Sequence, residues 1–332
     1  MEALILAAGR GTRMRGLCTA LPKPLLPLAN VPVLERILRC LAKAGVEQAW
    51  IVVGHGAEAI RRQFATGECD GLRIGFIEQA TPDGTGSATL LGKPHLRPES
   101  FLLLFADIIV ACDEYARLLA AHRATKCDAM LTVRRVPDPC AGAAVYVEAS
   151  RVVRIVEKPP PGTSNTPYDN AGLFIMPPTL FDFLARIGRS PRGEYELTDA
   201  ISAMLAAGIH YAAYEISGFW FNLTGPEALV AANAHLITEA QTSQVLPPQV
   251  TIAPPVTLGR KCHLTRCRLG PNVSVGDGCV VGEDAVIEHA ILMRGVRVGR
   301  GAQIRYAILS EGTSVAPGEH VLGEPLQVVT RT

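Results

Sequence analysis

The sequence predicts an α/β protein with a mostly parallel mixed sheet, followed by a short parallel β-helix. Two patterns carry this. Short apolar runs alternate with amphipathic helical segments from Leu4 to about Thr238. From Leu258 onward, apolar residues recur at a spacing of 17 residues. A chain of 332 residues is long enough for one large domain and a smaller one.

Composition narrows the function. The net charge is +1, so neither nucleic acid nor an anionic membrane is expected as a partner. The chain is 48% hydrophobic and only 5% aromatic, which fits a sheet built from Leu, Val, Ile and Ala. Nine cysteines, an odd number with no Cys-x-x-Cys pair, argue against a disulfide framework or a zinc ribbon. The run Phe101–Cys112 is too short to span a bilayer and contains Asp107. The first apolar run reads as a strand rather than a leader, so a cytoplasmic protein is expected.

Taken in order, Leu4-Ile5-Leu6 reads as a buried parallel strand. It breaks into Ala7-Ala8-Gly9-Arg10-Gly11-Thr12-Arg13. Glycines there let backbone approach a ligand, and successive N–H groups can hold phosphate oxygens. Arg13 and Lys23 add the charge, Arg as a bidentate fork and Lys as a point charge. Neither Gly-x-Gly-x-x-Gly nor Gly-x4-Gly-Lys-Ser/Thr is present, and a bare Gly-x-Gly can also be a plain turn.

Pro32 to Ala44 predicts an amphipathic helix with Pro32 in its first turn and Gly45 at its end. Trp50–Val53 and Arg73–Ile77 read as strands around a helix at Ala57–Phe64. This alternation implies right-handed crossovers, with ligands at the carboxyl ends of the strands. A second glycine loop, Pro82 to Ala88, precedes another helix. Phe101–Phe105 is a continuous apolar strand, and Asp107 at its end is either an oxygen ligand for magnesium or a cap for the helix from Asp113 to Ala124. Ala129–Val136 is a strand, Ala143–Val147 and Arg151–Val156 form a hairpin, and Leu173–Met176 is a further strand. Asp199 precedes a helix and can be a cap. Ala228–Thr238 is the last helix before a linker at Leu246-Pro247-Pro248.

Beyond the linker the repeat is counted directly. Leu258, Val275, Leu292 and Leu309 are 17 apart, as are Leu264, Val281, Val298 and Val315. A third row, Leu269, Ile287, Ile304 and Val321, is spaced 18, 17 and 17. Three apolar residues per period describe a triangular coil of about four turns, each stable only when stacked on the next.

The string Leu6-Ala7-Ala8-Gly9-x-Gly11-Thr12-Arg13-Met14, then Pro22-Lys23-Pro24-Leu25-Leu26-Pro27, resembles the signature of the sugar-1-phosphate nucleotidylyltransferases. It departs at Gly16 and Cys18, where that family usually has Pro and Thr. The resemblance implies a Rossmann-like nucleotidyltransferase domain over residues 1–245 and a left-handed hexapeptide β-helix over 246–332. It also implies transfer of a nucleotidyl group from an NTP to a sugar 1-phosphate, with Mg²⁺. UTP or dTTP and glucose 1-phosphate are favoured by the same resemblance.

Carried onto this chain, the resemblance gives Arg13 and Lys23 to the triphosphate and leaving pyrophosphate. Leu6, Ala8, Gly9, Gly11 and Thr12 lie along the nucleotide, and Gln79, Gly84 and Thr85 face the base. Asp107 and Asn222 become the metal ligands, with Ala106 where the family has Gly and Asn222 where many relatives have Asp. Gly142, Glu157 and Asn170 hold the sugar, and Lys158 its phosphate. Glu194 to Asp199 resembles another family element.

Two other functions stay open at this point. Ala106, Gly16 and Asn222 would suit a catalytically silent regulatory or scaffold subunit. The coil, with His263, His289 and His320, would suit an added acyltransferase, although histidines on a coil surface read more simply as solvated. Assembly into a homo-oligomer through the β-helix is the expected role of that part.

Overall fold

Ten strands form one mixed sheet: Glu2–Leu6 (β1), Gln48–Val53 (β2), Glu68–Cys69 (β3), Leu72–Glu78 (β4), Phe101–Phe105 (β5), Ala129–Arg135 (β6), Ala143–Glu148 (β7), Arg151–Glu157 (β8), Tyr168–Met176 (β9) and Tyr211–Glu215 (β10). Their order is β7-β8-β10-β6-β9-β5-β1-β2-β4-β3. They come from a computed structural model that describes residues 1–19, 21–239 and 249–332, so the linker expected at 246–248 lies outside the described residues. Contacts gather the chain into two units, one of Met1–Gly9 with Leu34–Trp220, the other of Arg10–Val33 with Phe221–Thr332.

In the first unit, β1 is flanked in parallel by β2 and β5, and β2 by β4. Such strands are covered on both faces, which is why β1 and β5 read as unbroken apolar runs and why Leu4, Leu103 and Leu104 are fully buried. The other side of the sheet reverses direction. β9 runs antiparallel to both β5 and β6, and β7 and β8 form the expected hairpin. Leu4, Leu103, Leu131, Phe174 and Tyr211 share the core.

The helix read from Pro32 to Ala44 is Val33–Lys43 (α1), with Leu34, Ile37, Leu38 and Leu41 buried along one stripe. Pro32 is not in its first turn. It pairs with Pro27 in a two-residue hairpin that precedes the helix. The remaining helices of this unit are Ala57–Gln63 (α2), Thr85–Leu90 (α3), Glu114–Ala124 (α4), Leu180–Leu184 (α5) and Leu197–Ala206 (α6). A strand was expected from Leu173, but β9 begins at Tyr168 and takes in Asn170 at a register irregularity. Cys40 and Cys112, 72 residues apart, are joined as a disulfide that cysteine spacing alone did not indicate.

The second unit is regular. Leu258 pairs with Val275, Val275 with Leu292, and Leu292 with Leu309, all in parallel register. Leu264, Val281, Val298 and Val315 form a second ladder. Leu269, Ile287, Ile304 and Val321 form a third. The three rows counted in the sequence are therefore three parallel faces of one coil, and their inward residues make its core. Pro226–Glu239 (α7) belongs to this unit. No helix among the described residues is long and apolar enough to cross a membrane.

Candidate active site

The residues expected to act fall into two groups, one in each unit. In the first unit, the ends of β1 and β5 lie side by side, with the Ala106 amide donating to the Leu6 carbonyl at 3.0 Å. Leu6 is half-buried, Ala8 buried and Gly9 exposed. Asp107 follows in the turn after β5 and is half-buried. Ala106, replacing the expected glycine, is buried and is not among the residues with positive φ, so this turn has no need of glycine.

The second glycine loop is fastened to the Glu-Tyr-Glu-Leu-Thr-Asp segment. Gly84 has φ +125° and a Cβ there would lie 2.4 Å from the Tyr195 carbonyl, so only glycine fits. Tyr195 N donates to the Asp83 carbonyl at 2.8 Å and Gly86 N to the Tyr195 carbonyl at 2.7 Å. Thr85 spends its hydroxyl on this junction by accepting the Leu197 amide at 3.1 Å. Gln79 is buried and donates to Ser87 Oγ at 3.1 Å, while Ser87 donates to Asp83. A buried amide held in this way is oriented before any ligand arrives. Asp199 sits inside the first turn of α6, and Glu196 occupies the cap position.

The sugar-side residues converge through backbone and charge. Lys158 N donates to the Gly142 carbonyl at 2.8 Å, so the two expected residues are adjacent. A Cβ on Gly142 would lie 2.1 Å from Asp169 Oδ1, which makes this glycine a matter of space. Asp169 is buried, accepts the Ala143 amide at 3.0 Å, and is gripped by Arg134 at 2.8 Å. Arg134 in turn stacks over Trp220 at 3.6 Å. The neighbouring Asn170 accepts the Gly172 amide on its Oδ1 at 3.0 Å, closing the irregularity in β9.

Glu157 lies at the end of β8 among cations. Arg192 approaches it at 3.7 Å and Lys158 at 4.0 Å, and Thr198 donates to it at 3.3 Å. Burial, then the nearby Glu196 carboxylate, push the Glu157 carboxyl upward, opposed by Lys158 and Arg192. Lys158 holds a left-handed backbone, φ +39°, unusual for a side-chain-bearing residue. Arg192 was not singled out from the sequence. It lies in a Ser-Pro-Arg-Gly loop with no motif signal, yet it bridges Glu157 and Glu196, the latter at 2.6 Å. Asp169 and Arg134 were missed for the same reason: their pairing joins residues 35 apart in sequence.

In the second unit, Gly11 and Arg15, both left-handed, bracket a short turn, Thr12–Met14. Met14 is fully buried and anchors this turn, while Thr12 and Arg13 point to the exposed side. Lys23 opens a second short turn, Lys23–Leu25, and is half-buried. Gly16 has φ +85°, a value proline cannot adopt, so the departure from the usual signature changes the backbone here. Asn222 is half-buried, and its Oδ1 is buried with no hydrogen-bond partner among the described residues. On the coil, His289 stacks on Tyr306 at 4.5 Å and bonds Asn272 at 3.1 Å, a structural placement.

The chain matches known proteins over both of its parts. A nucleotidyl transferase family model matches residues 2–239, and a GMPPB C-terminal domain model matches 248–329. A glucose-1-phosphate thymidylyltransferase of Streptomyces griseus is 30% identical over 324 residues, covering 89% of this chain and 88% of the relative. A mannose-1-phosphate guanylyltransferase of Mycobacterium tuberculosis is 32% identical over 251 residues, covering 74% and 67%. The fold is shared with a UDP-glucose pyrophosphorylase solved with UDP-glucose, at TM-score 0.64, 19% identity, and coverage of 72% of this chain and 98% of that one. The chain belongs to the nucleotidyl transferase family, as an enzyme of its sugar-1-phosphate nucleotidylyltransferase class.

Proposed function

We propose that the enzyme joins an NTP, UTP or dTTP by preference, to a hexose 1-phosphate, by preference glucose 1-phosphate, giving an NDP-hexose and pyrophosphate. Support comes most directly from the cluster at Gly142, Glu157, Lys158 and Arg192, where a carboxylate suited to sugar hydroxyls sits among two cations suited to a phosphate. The relatives themselves act on different bases and sugars, so the preference for UTP or dTTP rests on the Ala7-Ala8-Gly9 form of the signature, with glucose 1-phosphate as the default sugar.

A phosphate oxygen of the sugar 1-phosphate attacks the α-phosphorus in line. The P–O bond to the β-phosphate breaks, and pyrophosphate leaves with that electron pair. The attacking group is already anionic, so no side-chain nucleophile is needed, and catalysis is positioning and charge neutralisation. Arg13 and Lys23 neutralise the triphosphate and the departing pyrophosphate. Backbone at Leu6, Ala8, Gly9, Gly11 and Thr12 follows the nucleotide. Gln79 reads the base edge, and Gly84 and Thr85 face the base, the Thr85 hydroxyl being held by the Leu197 amide. Lys158 holds the sugar phosphate, and Glu157, Asn170 and Gly142 hold the sugar.

Asp107 and Asn222 are proposed to hold Mg²⁺. The buried, unpartnered Oδ1 of Asn222 fits an oxygen ligand for a hard cation. Bound there, Mg²⁺ would offset phosphate charge in both reactants. We propose residues 1–245 as the catalytic domain and 246–332 as an assembling β-helix of the left-handed hexapeptide type.

Pyrophosphate release, measured over a grid of NTPs and sugar 1-phosphates with and without Mg²⁺, tests this reading. One productive pair, lost in Asp107→Ala, is expected. A folded protein that binds nucleotide and turns over no pair would overturn it.

A further inference from the structure

The turn that carries Arg13 is braced from within its own unit. Arg15 Nη1 donates to the Val328 carbonyl at 3.1 Å and pairs with Glu227 Oε1 at 2.7 Å. The same Glu227 oxygen accepts the Val328 amide at 3.0 Å. Thr330 Oγ1 donates back to the Arg15 carbonyl at 3.0 Å. Guanidinium, carboxylate and the Val328 backbone, just before the strand Val329–Arg331, thus close a ring at Arg15, two residues from Arg13.

Both ends of the brace are themselves fixed. Val329, Thr330 and Arg331 are registered on Ala307, Ile308 and Leu309 of the coil. Glu227 stands in the first turn of α7. Further along the same loop, Ala29 N donates to Asn233 Oδ1 of α7 at 2.9 Å, and Ser274 of the coil donates to that same oxygen at 2.8 Å. Asn30 Nδ2 reaches the Val275 carbonyl at 2.9 Å. The segment from Arg10 to Val33 is therefore tied to the coil on both sides of Lys23.

The departure at residue 16 makes this possible. Arg15 at φ +47° and Gly16 at φ +85° turn the chain in a way that a proline at 16 would forbid. We propose that Arg15, Glu227 and Thr330 are positioning residues for nucleotide binding: the coil sets the attitude of the triphosphate loop through them. The role is not mainly one of stability, because the Arg15 and Glu227 side chains are 49% and 25% exposed and solvent screens their attraction. Geometry is the sensitive quantity, since a misplacement of about 1 Å in a reacting group can cost on the order of a hundredfold.

The inference rests on the assignment of Arg13 and Lys23 to the triphosphate. The test uses the full chain as wild type and as Arg15→Ala, Arg15→Lys, Glu227→Ala, Glu227→Gln and Thr330→Val. Arg15→Ala and Glu227→Ala are expected to raise KM for the NTP about tenfold, leaving KM for the sugar 1-phosphate within about twofold. Arg15→Lys and Glu227→Gln, which keep a donor or an acceptor, should recover part of the loss. Melting temperatures should stay within about 2 °C of wild type. Independently of turnover, trypsin should cut after Arg13 faster in Glu227→Ala and Thr330→Val than in wild type. Equal rises in both KM values, or unchanged NTP affinity together with unchanged cleavage, would overturn the brace. A wild type that turns over no substrate pair would instead end the reading of function, and the cleavage rates would still decide whether the loop is braced.

Discussion

In the sheet unit, neighbours in space are strangers in sequence: Ile5 of β1 lies between Ile51 and Leu104. In the coil, the partner of a residue is almost always the one 17 positions on, as Leu292 is to Val275 and Leu309 to Leu292. The first arrangement needs many unrelated contacts to form together and in return brings distant side chains such as Gln79, Glu157 and Arg192 into one unit. The second repeats one contact and stacks it. The expected chemistry divides accordingly. The residues proposed for base and sugar fall where the topology is non-local, and the cations proposed for the triphosphate fall on a loop fastened to the repetitive part.

The sharpest way to separate the two is to remove charge without touching packing. Arg13→Ala should lower turnover on the order of a hundred- to a thousandfold, the usual loss when one transition-state partner is deleted. Its unfolding curve should overlay that of wild type, because the side chain is exposed. A comparable loss of stability would mean that the loop and the coil are one cooperative element.

Next in size is a contrast inside the coil. Leu292→Ala deletes a fully buried side chain flanked by coils on both sides and should cost about 2–5 kcal/mol in denaturant melts. Leu258→Ala, at the half-buried first coil, should cost about 1 kcal/mol, having less transfer energy to lose. Equal costs would show that the end coil is covered as well as the middle one.

Gly142→Ala probes the sheet unit. The added methyl meets Asp169, which Arg134 and the Ala143 amide hold in place, so it cannot swing aside cheaply. Overpacking of about 1–3 kcal/mol is expected, with KM for the sugar 1-phosphate raised about tenfold and KM for the NTP unchanged. The smallest effect concerns pH. In the proposed role Glu157 would accept sugar hydroxyls best as a carboxylate, and its carboxyl is pushed up by burial and Glu196. As pH falls, protonation sets in above the ordinary carboxylate range, so KM for the sugar 1-phosphate should rise there and recover as pH climbs. Glu157→Gln should flatten that limb.

What could be read beforehand follows the same division. The three apolar rows of the coil were legible because their period in sequence is their register in space, whereas the strand Val329–Arg331, which does not keep that period, was not. In the sheet unit the apolar strands were legible, and so were residues that belong to one contiguous string, such as Gly84-Thr85 and Glu157-Lys158. Arg192, Asp169 with Arg134, and the Cys40–Cys112 disulfide were not, since each acts through a partner that only the fold supplies. Asn170 was placed before a strand because polar residues at Tyr168-Asp169-Asn170 interrupt the apolar pattern, whereas antiparallel pairing extends β9 through them. In the sequence Gly16 is only a departure from the usual signature, whereas in the fold its backbone shapes the turn beside Arg13.

The bond between Arg15 and Val328 also bears on how this molecule can lengthen. A tandem duplication of 17 codons within the repeat would preserve every inward residue, and solenoids commonly vary in this way. Here each added turn would carry the Val329–Arg331 strand about 4.8 Å farther along the axis. A contact of 3.1 Å does not survive that displacement. Insertions of whole repeats that leave the coil folded should therefore part the Val328 carbonyl from Arg15 and release the turn that carries Arg13.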